Sequence, residues 1–451
     1  MSFALFLVYL VVVLVRPIET FDLELGDARP ILWLWMASFM VSVLHALSKR
    51  EAAAKGAHFL LLGALLLAIM LSQLKQGWLG GAIISALDFS TSAGLFVLVC
   101  LNVTTLKRLR IACAAVLASV LVVAAMSTNA YHTGQMVDKL VLSQWAGGND
   151  VSEEAANAAQ NSIPAQDASG LFLWRIRGLG FMSDPNDLAQ AMVMVLPLLW
   201  GLSRRGRWFI NLVFIWAPGA MLAYAIYLTH SRGALLGLAS LFFFGLRERF
   251  GTPKTMIGLL GIGVAANVAG FGGGREFSSG EESAGDRIEA WYEGIQMLKG
   301  NLLLGVGHGN FLDNHHLTAH NSFVLCFAEL GLVGYFFWMA LIVLVYLGLN
   351  KAIVTGATDT EEHKLAVLLR SSLIGFLTCA WFLSRTYQPT LFLLLGLATA
   401  SWYVWAKAAG NDRKEAGLRR RLKWGIPTLA AMVLSIVAVQ GFIVLDGLMG
   451  K

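Results

Sequence analysis

The chain has 451 residues, 57% of them hydrophobic and only 14% charged, with a mean hydropathy of +0.65 and a net charge of +6. Its apolar residues fall in runs close to the ~20 that cross a hydrocarbon core of about 30 Å, which excludes a water-soluble globular chain and requires helices that satisfy their own backbone. A pI of 9.1 would suit a nucleic-acid partner, but the bases are arranged as a membrane-topology signal, and no nucleic-acid partner is expected.

Taken in chain order, apolar runs predict spans at 3–16, 31–47, 57–73, 80–100, 111–127, 187–202, 208–229, 233–246, 255–271, 321–348, 366–384, 389–406 and 424–445. The expected fold is an all-α polytopic membrane protein with twelve or thirteen transmembrane helices, because the runs at 187–202 and 233–246 are short for a full crossing. The chain divides into N-terminal helices (1–127), a loop (128–186), central helices (187–271), a large loop with a short amphipathic helix (272–320) and C-terminal helices (321–451). The first run ends at Arg16-Pro17 without a basic segment before it or a small-residue cleavage site after it, so it reads as a retained span.

With residue 1 in the cytoplasm, the inner loops hold 22 of the 34 Lys and Arg but only 7 of the 28 acids, a positive-inside pattern. The loops 128–186 and 272–320 then lie together on the outer face, and any chemistry is expected there. Cys100, Cys113, Cys326 and Cys379 are scattered in or beside spans with no CxxC pair, and read as packing residues.

Within the first outer loop, 146–170 is rich in Ala, Asn, Gln, Ser and acids and reads as a mobile or weakly helical segment. It is followed by Trp174-Arg175-Ile176-Arg177, whose arginines either snorkel to headgroups or bind an anion. Asp184-Pro185-Asn186-Asp187 reads as a turn capping the next helix. Arg232, in Thr229-His230-Ser231-Arg232, lies between two apolar runs on the outer side, where topology gives it no role; such an arginine is usually paired or lines a wet cavity.

In the second loop a glycine cluster at 270–274 precedes Arg275. Ile288, Trp291, Ile295 and Leu298 then recur at helical spacing, predicting the short amphipathic helix, with Arg287 in its first turn. A cation there is unfavourable unless an anion or a neighbour such as Asp286 compensates. His308, His315, His316 and His320 follow, irregularly spaced and without an HExxH or Cys partner, so no metal is expected; the first three default to solvated residues or substrate contacts. His320 differs, standing at the mouth of the 321–348 span beside the helix-capping candidates Asn321 and Ser322, where an imidazole is a natural acceptor for a sugar hydroxyl proton.

His320-Asn321, nine residues, then Gly331-Leu332-Val333-Gly334 resembles the signature of the bacterial O-antigen ligase and O-antigen polymerase family. Asp184-Pro185-Asn186-Asp187-Leu188-Ala189, Ser231-Arg232-Gly233-Ala234 and Gly305-Val306-Gly307-His308-Gly309-Asn310-Phe311 resemble family elements in the same order. The resemblance implies a GT-C-like fold in the bacterial inner membrane with a cavity facing the periplasm. It also implies an undecaprenyl-diphosphate-linked glycan donor, a lipid A core or lipid-linked glycan acceptor, and neither metal nor cofactor. The family's essential histidine and outer-loop arginines map onto His320, Arg232 and Arg287 as catalytic candidates. Arg177 or Arg175 is a fourth, and Asn186, Asn321, Arg385 and Tyr387 are further candidate substrate contacts, Arg385 and Tyr387 being equally readable as helix-end anchors.

The chemistry agrees with that assignment. A diphosphate leaving group gains charge as the glycosidic bond breaks, and arginine meets it permanently charged and bidentate. At ~4 Å and an effective dielectric near 20, each pair of unit charges is worth about 4 kcal/mol. Family members usually have about twelve spans and cytoplasmic termini, whereas thirteen would put the C-terminus outside. A transporter is the competing class, and predicts polar residues spread through the spans rather than gathered at one mouth.

Overall fold

The computed structural model describes residues 2–21, 29–49, 56–146, 152–258, 282–410 and 423–449. Its long helices are α1 (Ser2–Val15), α2 (Pro30–Lys49), α3 (Gly56–Lys75), α4 (Leu79–Asn102) and α5 (Leu106–Thr133). After a two-stranded antiparallel sheet of β1 (Val141–Trp145) and β2 (Phe172–Ile176) come α6 (Pro185–Trp200), α7 (Trp208–Leu228, with a wider turn at Leu212–Trp216) and α8 (Arg232–Phe250). The rest are α9 (Glu282–Gly300), α10 (Ser322–Thr355), α11 (Glu361–Ala380), α12 (Pro389–Ala408) and α13 (Gly425–Met449).

Nine of these, α2–α5, α7 and α10–α13, are long and apolar enough to cross a membrane among the described residues. The chain is an all-α polytopic membrane protein. Helices α1, α6 and α8 stand at the shorter predicted runs, and α8 is longer than its apolar core because it extends to Phe250. Of the predicted span 255–271, residues 255–258 are helical and 259–271 lie outside the described residues, as do the glycine cluster 270–274 and Arg275. The segment 146–170 contains a helix at Glu153–Gln160 and a single turn at Pro164–Gln166; its residues 147–151 lie outside the described residues.

Helix α12 is central, packed on α4, α10, α11 and α5, while α2, α7 and α13 are peripheral and present apolar faces such as Leu429, Val433 and Val437 outward. Lipid tails are as apolar as leucine, so helices here associate through close packing rather than hydrophobic drive. Small residues permit it: a Cβ on Gly237 of α8 would stand 2.4 Å from Cys379 Sγ of α11. All four cysteines are buried.

Helix α10 is broken inside the bundle. Gly331 has φ 62° and ψ −167°, a conformation that a side chain would strain, so the helical ladder stops and restarts there. The backbone groups released are taken up by the segment before Phe311. Val306 and Gly307 donate to the carbonyls of Ala328 and Glu329 (both 2.9 Å), and Leu332 and Val333 donate to those of Leu302 (2.8 Å) and Leu303 (3.1 Å). Non-helical backbone at membrane depth survives where protein satisfies it in this way. The two strands of chain approach so closely that a Cβ on Gly305 would lie 2.3 Å from the Glu329 carbonyl carbon, and one on Gly331 2.4 Å from that of Leu303.

Candidate active site

Five segments meet at one end of the bundle: 175–187, 229–232, 286–291, 318–322 and 383–387. The first is organised by the Asp-Pro-Asn-Asp turn. Asp184 caps α6, accepting from the Asn186 N–H at 2.7 Å, and Pro185 starts the helix where its missing N–H costs nothing. Asp187, buried in the first turn, accepts from Arg385 Nε, and Arg385 Nη2 lies 3.4 Å from Asp184 Oδ2. Asp187 is therefore half of an ion pair rather than a cap, joining residues 198 apart in sequence.

Arg175 is buried. Its Nε donates to the Thr229 carbonyl (2.8 Å) and its Nη2 to Asn186 Oδ1 (3.1 Å), tying β2 to the turn between α7 and α8. The sheet helps to hold it there, since β1 pairs Leu142 with Arg175. Arg177 is directed elsewhere, its Nε and Nη2 donating to the carbonyls of Lys139 (3.0 Å) and Asp138 (2.9 Å), so these bonds do not bring it to the cluster.

His320 sits on a closely held turn. Trp291 Nε1 donates to the Ala319 carbonyl (2.9 Å), and Asn321 Oδ1 caps α10 by accepting from Phe323 (2.9 Å) and Val324 (3.2 Å). Ser322 Oγ donates to the Leu383 carbonyl (2.5 Å) and accepts from the Arg385 N–H (2.9 Å). Between these anchors His320 adopts φ 46°, a left-handed conformation uncommon for residues other than glycine that costs of order 1–3 kcal/mol and persists only when its surroundings over-determine it. Burial lowers its pKa, and the neighbouring guanidiniums of Arg287 and Arg385 lower it further against the opposing pull of Asp184 and Asp286. Both effects disfavour the imidazolium form.

Arg287 comes from α9, which begins at Glu282, so the arginine is in the second turn and not the first; the unfavourable dipole contact expected from sequence is correspondingly weaker. Trp291, Ile295 and Leu298 are buried in the packing of α9 on α10 and α13. Arg232 opens α8, capped by Ser231 Oγ, and the adjoining Gly233 places this end against α11: a Cβ there would be 3.3 Å from Phe382 Cβ, next to the turn that carries Arg385. Asn186 and Asn321 are both committed to structural bonds, although Asn321 keeps a buried amide nitrogen with no protein acceptor.

Tyr387 leads to a second group of residues that sequence reading did not connect. Its backbone carbonyl accepts from Ser92 Oγ (2.6 Å), its ring lies 4.5 Å from that of His308, and its buried hydroxyl faces the Glu329 carboxyl without a well-aligned bond. Glu329, buried in α10 two residues before the break, accepts from the backbone N–H groups of Gly309 and Phe311. His308 is not a solvated loop residue: its N–H donates to Ser72 Oγ (3.0 Å), its carbonyl accepts from Gln73, and burial pushes its imidazole down to about 4 despite nearby Asp88. His315 is also buried, with its Nδ1 against the 317 backbone, whereas His316 is exposed. Among the described residues no three His, Cys, Asp or Glu side chains gather as a metal site would require. Glu329 had one available sequence signal, being an acid inside an otherwise apolar run.

Residues 217–339 match the O-antigen ligase family, a stretch that runs from α7 past the break in α10. It includes Arg232, Arg287, His320 and Gly331, and leaves out Arg175, Arg177 and Arg385. No curated protein matches the chain.

Proposed function

We propose that this chain, whose residues 217–339 match the O-antigen ligase family, moves a glycan from undecaprenyl diphosphate to a sugar hydroxyl of the lipid A core, at the periplasmic face of a bacterial inner membrane. The observation that carries the reading is the His320 imidazole, held on a strained, over-anchored turn with the guanidiniums of Arg287 and Arg385 in electrostatic reach. An acid–base group and fixed cations side by side are what a metal-independent displacement from a diphosphate needs.

In the proposed step the acceptor hydroxyl oxygen attacks the anomeric carbon from the face opposite the diphosphate. The bond from that carbon to the diphosphate oxygen breaks and its electron pair stays on the leaving group, inverting the centre. The hydroxyl proton passes to His320. Arg287 and Arg232 hold the diphosphate as its charge grows, while Arg385, held by Asp184 and Asp187, supports the His320 turn through its backbone bond to Ser322. Arg175 fixes the 229–232 turn that presents Arg232.

The test is reconstitution of the full chain with an undecaprenyl-diphosphate glycan and either core lipid or a second lipid-linked repeat, scored for product and released diphosphate. His320→Ala is expected to lower the rate by roughly 10²–10⁴-fold, the usual worth of a general base. Full activity in His320→Ala, or in both Arg232→Ala and Arg287→Ala, sinks the site assignment. Product formed only with the second lipid-linked repeat makes the enzyme a polymerase.

A further inference from the structure

The opposite end of the bundle holds a cavity of about 550 Å³ between α5, α6 and α11. Its origin is a length mismatch. Helix α6 has 16 residues and so rises only about 24 Å at 1.5 Å each, short of a hydrocarbon core of roughly 30 Å. Helices α5 and α11, with 28 and 20 residues, each pack along α6 and continue past its end at Trp200, with no comparable packing on one another. The space beneath α6 is left open between them.

The cavity has two kinds of wall. Ile111 and Leu117 of α5, Leu198 of α6, and Leu365 and Leu368 of α11 form an apolar surface, and Ile111 (38% exposed) and the adjoining Leu202 (50%) continue it outward to where lipid would lie. At the rim stand Arg110, Arg204 and Lys364, with Glu361 the one acid. Glu361 pairs with Arg110 at 2.5 Å, so the rim keeps a positive balance. The segment bearing Arg204 is fixed, since its N–H and carbonyl are both bonded to the Asn211 side chain at 2.8 Å.

We propose that this cavity is a binding site for one anionic phospholipid, its phosphate on Arg110, Arg204 and Lys364 and an acyl chain along the α5–α6–α11 wall. Basic pockets between transmembrane helices recognise lipid headgroups by this combination. A free anion would leave the apolar wall unused. A zwitterionic lipid would gain less from the cations. The bound lipid completes the membrane-depth packing that a 16-residue helix cannot supply.

The experiment is native mass spectrometry of the full chain in detergent, titrated with phosphatidylglycerol, with phosphatidylcholine of the same acyl chains, and with inorganic phosphate. One phosphatidylglycerol is expected to bind in preference to phosphatidylcholine. Replacing Arg110, Arg204 and Lys364 by Ala is expected to weaken it roughly fivefold per cation removed. Ala114→Trp, which fills the exposed apolar wall and leaves the rim intact, should release either lipid. Equal occupancy by the two lipids in the unmodified chain overturns the proposal without recourse to any variant, as does an unchanged preference in the triple variant. Displacement of phosphatidylglycerol by millimolar inorganic phosphate alone identifies a simple anion site and also overturns it.

Discussion

The two ends of this bundle use arginine in opposite ways. At the end bearing Arg110, Arg204 and Lys364 the cations stand exposed on loops and helix starts, where water and salt screen them. At the end bearing His320, Arg175 is buried and Arg385 is locked between Asp184 and Asp187, with a hydrogen bond or ion pair at every named contact. The same side chain is an exposed surface cation in one place and structural and electrostatic machinery in the other. Burial and bonding, not residue type, separate the two roles, because a desolvated charge is tolerated only when it is fully compensated.

That contrast predicts graded effects. Arg385→Ala strands the buried carboxylate of Asp187 and should destabilise the protein by about 3 kcal/mol, measured by thermal unfolding in detergent, with much of the loss recovered by adding Asp187→Asn. An Arg385→Ala protein as stable as the unmodified chain would erase the distinction between the ends. The next effect is on the acid limb of the rate profile. In the proposed reaction His320 accepts the proton as the neutral imidazole, and its pKa in the folded protein is lowered, so activity is expected to persist as pH falls past the ordinary imidazole value and to be lost only on passing through the lowered one. In Arg287→Ala one of the charges opposing protonation is gone, and the limb of the residual activity should move to higher pH. A limb that stays in place would remove Arg287 from the neighbourhood of His320. The smallest effect belongs to the exposed pair: Arg110→Ala should change unfolding stability by less than about 1 kcal/mol, since surface ion pairs contribute little.

The apolar runs made most helices readable, because crossing a bilayer imposes a length and a composition that few other demands imitate. Caps were also readable, as Asp184 and Asn321 each stand immediately before a span. What escaped was whatever depends on partners remote in the chain. Asp187 has the sequence context of a cap, and only its contact with Arg385 shows otherwise. Arg175 and Arg177 look equivalent, two residues apart, yet one binds Thr229 and Asn186 while the other binds the backbone of Asp138 and Lys139. The break in α10 was hidden because hydropathy does not register φ, and Gly331 lies in a run that reads as continuous.

That break closes a ring. The pairing of 302–307 with 328–333 joins the chain to itself on either side of His320, through backbone hydrogen bonds alone. It acts on the intervening loop as a crosslink would, holding both feet in fixed register while only the outward-facing stretch is left unpacked. Doubling the length of a flexible loop costs only about 0.6 kcal/mol, so residues such as Leu312, Asp313 and Asn314, which point outward, can be lengthened or exchanged with little penalty. One residue added within either foot shifts every bond of the clasp at once. The outward-facing part of the loop is therefore separable from the clasp that fixes where His320 stands.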